Sequence, residues 1–370
     1  MDRHRNNIGL LRLVFASLVI IGHAPEMTDG NRSRDLLTGI FHTVSTGELA
    51  VDAFFLISGY LIAKSMIVTG SVPYYLERRA LRIYPGYIVA YLLSVFALGP
   101  FVGAKPWTEL PLTLSRIVFL MDPTQYPGEL AGLPVRALNG SMWTIAYEFR
   151  CYLLVALLWL LGILTNKRGM LVLAVAGIFL SVLMTFDPVR APLDDFAARY
   201  HGTGWIIGVP SSTLQLTAVF LVGILFYLYR DVLITRVNGM IASACAVAAA
   251  ALMYKDPHFA GVALTTLGAV PLFWLSFKAR LGALQKINDD WDISYGTYLY
   301  GWPVAILFLW LNPGISPWIL AAIALPLSLL CGAASWWGVE SWTKDINKSR
   351  STSRTDIRRD PLPRTLPERP

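Results

Sequence analysis

Arg12 and His23 stand eleven residues apart within one apolar stretch of the chain. Eleven residues are almost three helical turns, so on a helix the two side chains share a face about 16 Å apart along the axis. An ionisable group inside a membrane span costs on the order of 2.5–3.5 kcal/mol on insertion scales, so each one needs a reason. One face of one helix would offer a cation to an anionic ligand and, farther along, an imidazole able to move a proton. The spacing also suits plainer roles, with Arg12 snorkelling to headgroups and His23 ending a helix at the interface. A general base needs a carboxylate nearby to hold its tautomer and steady its protonated form. Asp52, at similar depth on the next apolar run, is the first candidate, although a helix N-terminus alone would favour a carboxylate there.

The run that opens Ser141-Met142-Trp143-Thr144 carries Glu148 and Arg150. Glu148 is a second candidate for acid–base work or acceptor binding, and it suits pairing with an arginine on another helix equally well. Arg150, two residues on, points to a different face and needs its own partner. Trp143 reads from its position as an interfacial anchor. Arg78, Arg79 and Arg82 lie within five residues beside a span. Such a cluster can set orientation, touch anionic lipid or grip phosphates through bidentate hydrogen bonds. Ser58 and Gly59 read as small packing residues rather than a nucleophile.

The elements that must hold these groups are membrane helices. The 370 residues are 55% hydrophobic and 15% charged, whereas a soluble domain carries about a quarter charged residues. Apolar runs near bilayer length fall at 8–24, 48–68, 83–103, 141–164, 169–186, 213–230, 238–254, 259–277, 293–311 and 317–340. The shorter stretch 110–121, flanked by prolines and holding Arg116, reads as interfacial or re-entrant. Arg3 and Arg5 before an apolar stretch resemble a signal peptide, but Arg12 and Pro25 argue against cleavage, so the first run reads as a span. With the N-terminus inside, the cytoplasmic segments hold 20 Lys and Arg against 8 outside. The predicted fold is therefore an all-α, polytopic bundle of about ten transmembrane helices, N-in and C-in. Residues 1–342 form the membrane domain, and the basic, proline-bearing stretch 343–370 is expected to be a disordered cytoplasmic tail. The net charge of +7 follows this inside–outside pattern and does not indicate nucleic acid. Cys151, Cys245 and Cys331 lack metal-ligand spacing and read as buried small hydrophobes.

In this order the motifs resemble the acyltransferase-three family of bacterial membrane O-acyltransferases, which modify cell-surface polysaccharides and lipopolysaccharide. The resemblance rests on Arg12 with His23, on Asp52-Ala53-Phe54-Phe55-Leu56-Ile57-Ser58-Gly59 and on Arg78-Arg79-Ala80-Leu81-Arg82-Ile83-Tyr84-Pro85. It continues through Ser141 to Glu148 and echoes in Ser294-Tyr295-Gly296-Thr297-Tyr298-Leu299-Tyr300-Gly301-Trp302-Pro303. Two positions depart: Gly301, where many relatives have histidine, and Ser341, where many have proline after the glutamate. The first leaves His23 without a second imidazole from that helix.

The resemblance implies an acyl-CoA donor, most often acetyl-CoA, used as a co-substrate with no permanently bound cofactor and no metal. Arg12, Arg78, Arg79 and Arg82 would hold its phosphates. His23, with Asp52 or Glu148, would activate an acceptor hydroxyl, or else carry the acyl group briefly itself. Trp143, Tyr295 and Tyr298 would support the acceptor. The implied partners are a glycan or lipid-linked glycan and membrane lipids, in the bacterial cytoplasmic (inner) membrane. A ten-span transporter or flippase is the rival that the buried charges also suit, and a sensor whose tail recruits partners is a third.

Overall fold

Long apolar runs become helices in lipid because every backbone N–H and C=O must find its partner within its own segment. A computed structural model describes residues 6–123, 130, 132–135, 137–289 and 291–342. The principal helices are α1 (Ile8–Asp29), α2 (Thr46–Thr69), α3 (Val72–Leu92), α4 (Trp143–Leu160), α5 (Lys167–Leu183) and α6 (Asp187–Arg199). They continue with α7 (Pro210–Leu228), α8 (Gly239–Lys255), α9 (Pro257–Thr266), α10 (Ala269–Phe277), α11 (Ser294–Leu311) and α12 (Pro317–Ser335). Among the described residues there is no strand. The predicted tail, 343–370, lies outside them.

Each of the ten apolar runs contains a helix, but fewer are long and apolar enough to cross a membrane. Seven stretches qualify: Ile8–Asp29, Thr46–Thr69, Val72–Phe101, Gly140–Leu160, Gly204–Leu228, Pro257–Phe277 and Pro317–Glu340. Counting α5 and α6 as one span, although they bend by 96° at their junction, gives eight. The chain is a multi-pass membrane protein. Two of the ten runs fall outside this count for separate reasons. The helix α8 is 17 residues long, and α11 spends its first half on Ser294, Thr297 and three tyrosines. Those polar residues are all buried by protein, so that half of α11 has no need to be apolar. The stretch at 110–121 holds the nine-residue helix Leu110–Val118, about 14 Å long and too short to span. The first helix also runs past Pro25 to Asp29, where Gly30 caps it in a left-handed conformation.

Burial is inverted relative to a soluble protein. Leu171, Val172, Val175 and Phe179 of α5 are exposed, whereas Asp52, Asn139, Thr144, Thr297 and Glu340 are buried. The first helix packs against α2, α11 and α12; α2 packs against α4 and α7. A capping box starts α2, with Ser45 Oγ accepting from the Glu48 N–H (3.1 Å) and Glu48 Oε2 accepting from the Ser45 N–H (2.8 Å). Glu48 is thereby engaged in holding the end of the helix that carries Asp52.

Gly59 and Gly223 let α2 and α7 touch backbone to backbone. An added Cβ would stand 2.1 Å from Phe220 O at Gly59 and 2.2 Å from Leu56 O at Gly223. Overpacking costs about 1–3 kcal/mol or more. Gly223→Leu is therefore expected to lower the midpoint of thermal denaturation in detergent by several degrees. Gly261→Ala, where a Cβ meets nothing within 4 Å, should leave it unchanged or raise it.

Candidate active site

Near its second end α1 presents His23 to a cavity of about 260 Å³. Asp52 from α2, Trp143 from the start of α4, Tyr298 from α11 and Gln215 from α7 share its wall. The imidazole stands edge-on to Trp302, ring centres 5.2 Å apart, and the Trp302 N–H donates to the Ala137 carbonyl (2.8 Å). The group facing Nδ1 is Glu26, three residues on along the same helix, with Oε2 at 3.5 Å. Its other oxygen accepts from Arg32 (2.6 Å). Histidine, carboxylate and arginine thus form a chain that leads from the chamber to the connecting loop. Burial and the Glu26 partner act oppositely on Arg32, and the partner prevails, holding that guanidinium more firmly protonated.

Toward the other end of α1 lies a narrow chamber of about 40 Å³ lined by Arg12, Ser58, Glu148, Tyr295 and Tyr298. Val51 and Tyr298 belong to both chambers. Tyr298 is held in place by a hydrogen bond to the Ser141 carbonyl and another shared with Thr144 (2.6 Å). Tyr295 donates to the Ile83 carbonyl (2.9 Å). Glu148 accepts from Ser58 (2.7 Å) and Tyr152 (2.6 Å).

Below this chamber the charges are paired. Asp292 accepts from Arg12 and, through the same oxygen, from Arg82 at 2.8 Å. Arg82 also reaches buried Glu340 at 2.8 Å and lies 5.4 Å over the Tyr295 ring. Burial pushes the Asp292 carboxyl up, but Arg12 and then Arg82 outweigh it and hold it well below the usual carboxylate range. Arg78 and Arg79 keep buried Nε atoms without a hydrogen-bond partner among the described residues.

The structure therefore gathers His23, Asp52, Trp143 and Tyr298 at one chamber and Arg12, Glu148, Tyr295 and Tyr298 at the next. Neither Asp52 nor Glu148 is the carboxylate at His23 Nδ1; that is Glu26. The i, i+3 spacing of His23 and Glu26 was the available signal. Asp292 lies 280 positions after Arg12, so nothing local in the sequence marks it as a partner. At Gly301 an added Cβ would stand 2.6 Å from Ile20 Cγ1. This face of α11 is closed against α1.

A family model described as an acyltransferase domain matches residues 5–337. The chain belongs to the acyltransferase-3 family. It is similar to an O-acetyl transferase of Shigella phage Sf6, 24% identical over 339 residues, covering 88% of this chain and 93% of the relative. Nodulation protein 10 of Rhizobium leguminosarum bv. viciae is 27% identical over 357 residues, covering 88% and 92%. Acyltransferase MdmB of Streptomyces mycarofaciens is 31% identical over 122 residues, covering 31% and 29%. No solved structure matches the chain. This member of the acyltransferase-3 family is an enzyme, which sets aside the transporter and sensor readings.

Removing one partner from a buried ion cluster costs about 3–5 kcal/mol, and partial exposure of these side chains places Asp292→Ala toward the lower end. The variant should lose several degrees of thermal midpoint in detergent. Because the folded carboxyl is depressed, its stabilisation is complete above the unfolded value of about 3.9 and is lost progressively as pH falls from there to the folded value. The gap between wild type and Asp292→Ala should accordingly stay constant across the roughly neutral range, about pH 6 to 8.

Proposed function

We propose that the chain is an O-acyltransferase of the bacterial cytoplasmic membrane, moving an acetyl group from cytoplasmic acetyl-CoA to a hydroxyl of a cell-surface or exported glycan. The observation that carries this reading is the pair of chambers along α1, with Arg12 on one, His23 on the other and Tyr298 common to both. The phage relative's description as an O-acetyl transferase supports transfer to oxygen.

The proposed topology has ten spans with both termini inside, adding α8 and α11 to the eight. Arg12, Arg82, Arg78 and Arg79 then meet the donor's phosphates. Phosphate competes with Asp292 for Arg12 and Arg82. The thioester arm follows α1 past Tyr298 toward His23. There Nε2, the nitrogen turned away from Glu26, takes the proton of the acceptor hydroxyl as its oxygen attacks the thioester carbonyl. The new C–O bond forms, the C–S bond breaks, and the imidazolium returns the proton to the departing thiolate. Glu26, braced by Arg32, steadies the imidazolium. Asp52 and Trp143 position the acceptor in the same chamber, and Glu148 orders Ser58 and Tyr152 along the donor's path.

Purified protein in detergent, given acetyl-CoA and glycans extracted from its host, should release free CoA and add acetyl mass to a glycan. General-base catalysis contributes about 10²–10⁴-fold, so His23→Ala should lower kcat by that order with the fold intact. Glu26→Gln should lower kcat about tenfold, since it removes a charge but not the base, with little change in the KM for acetyl-CoA. Transfer unaffected by His23→Ala would overturn the mechanism. Reporter fusions after residue 342 should be active only as cytoplasmic reporters.

A further inference from the structure

Arg150 takes no part in the chemistry above, yet its surroundings are built with care. Its Nη2 donates to the Trp205 carbonyl (3.0 Å), and the guanidinium lies 4.9 Å over the Tyr147 ring. The loop before α7 closes on it through Gly208, whose φ is +86°; a Cβ there would stand 2.6 Å from Arg150 Nη1. The Tyr147 hydroxyl fastens that loop by accepting from the Val209 N–H (2.9 Å). Despite this enclosure, buried Nη1 has no hydrogen-bond partner among the described residues. A buried donor left unmade costs about 1–3 kcal/mol, and more when charged, so the loop holds the guanidinium in place at a cost that a purely structural arginine would not need.

The guanidinium borders a cavity of about 370 Å³ between α4, α6 and the start of α7. That volume lies within the roughly 300–1,000 Å³ of small-molecule sites. Trp143 and Trp205 supply flat apolar walls, and Asp122 and Asp194 supply acceptors. The wall holds two carboxylates and one guanidinium, a balance with no excess positive charge, which disfavours a phosphate or an anionic sugar. Ring faces together with donors and acceptors suit a neutral, polyhydroxylated ring, whose C–H faces lie on indole while its hydroxyls bond outward. The cavity shares Trp143 and Ser212 with the His23 chamber, so a glycan seated in it can extend toward the imidazole.

We propose that this cavity is the acceptor subsite, binding a neutral sugar residue of the glycan with Arg150 as its principal hydrogen-bond donor. The proposal rests on the glycan-acceptor reading given above. A third cavity of about 400 Å³ also joins the His23 chamber, through Asp52 and Gln215. The arginine in its wall, Arg190, is already paired with Asp187. Its His258 is already stacked on Phe186 (4.4 Å) and bonded to Thr185 (2.9 Å).

The test uses the full-length protein in detergent, acetyl-CoA, and the host glycan fraction that the wild type acetylates. Arg150→Gln should raise the KM for that fraction at least tenfold while the KM for acetyl-CoA stays within twofold. Arg150→Lys should recover part of the loss. Ala198 is exposed on the cavity wall, so Ala198→Trp fills the space without entering the core and should act on the same KM. His258→Ala should leave the acceptor KM near wild type. Unchanged acceptor KM in both Arg150→Gln and Ala198→Trp, at wild-type thermal midpoints, overturns the proposal. So does a rise confined to His258→Ala, which would move the acceptor to the third cavity. A wild type that acetylates no glycan would instead overturn the glycan reading itself, and this subsite with it.

Discussion

Two arginines meet one carboxylate where Arg12, Arg82 and Asp292 come together, and the rest of the bundle is arranged around that contact. Arg12 belongs to the first helix, Arg82 to the third and Asp292 to the segment entering α11, while Glu340 joins from the last turn of the chain's final span. In lipid such charges are affordable only when paired or near water, so the four groups draw together elements separated by hundreds of residues. That pairing fixes α1 against α11. It thereby sets which face of α1 lines the two chambers.

From this follows the division of labour along α1. The Arg12 end is a zone of clustered guanidinium groups, two of them paired and two with Nε atoms unpartnered among the described residues. The His23 end is a zone of aromatic rings and carboxylates with roomier cavities. Between them Tyr298, itself locked to Ser141 and Thr144, narrows the route to a small chamber. Such a constriction admits a slender chain and excludes a sugar ring. A donor with a flexible arm and a bulky acceptor are suited to opposite ends of the same path.

Much of this was legible in the sequence. Apolar runs located the helices, and the eleven-residue interval placed Arg12 and His23 on one helix and at successive chambers. The span count was less legible, because α11 buries a polar half that hydropathy reads as a weak span. Partnerships were the least legible. Asp292 and Glu340 are recognisable as arginine partners only after folding, since no period or motif ties positions so far apart. Glu26 differs: its three-residue interval from His23 lies on the face of one helix, and attention to Asp52 and Glu148 passed it over. Arg150 was marked as needing a partner, but the loop and the tryptophans that enclose it come from elsewhere in the chain.

The central claim is that donor and acceptor approach from opposite faces of the membrane and meet at His23. Proteoliposomes of known orientation test it directly, with labelled acetyl-CoA supplied only on the Arg12 side and the glycan only on the His23 side. The account predicts acetylated glycan in this arrangement and none when the two substrates are exchanged. Acetylation only when both substrates share one side would contradict it.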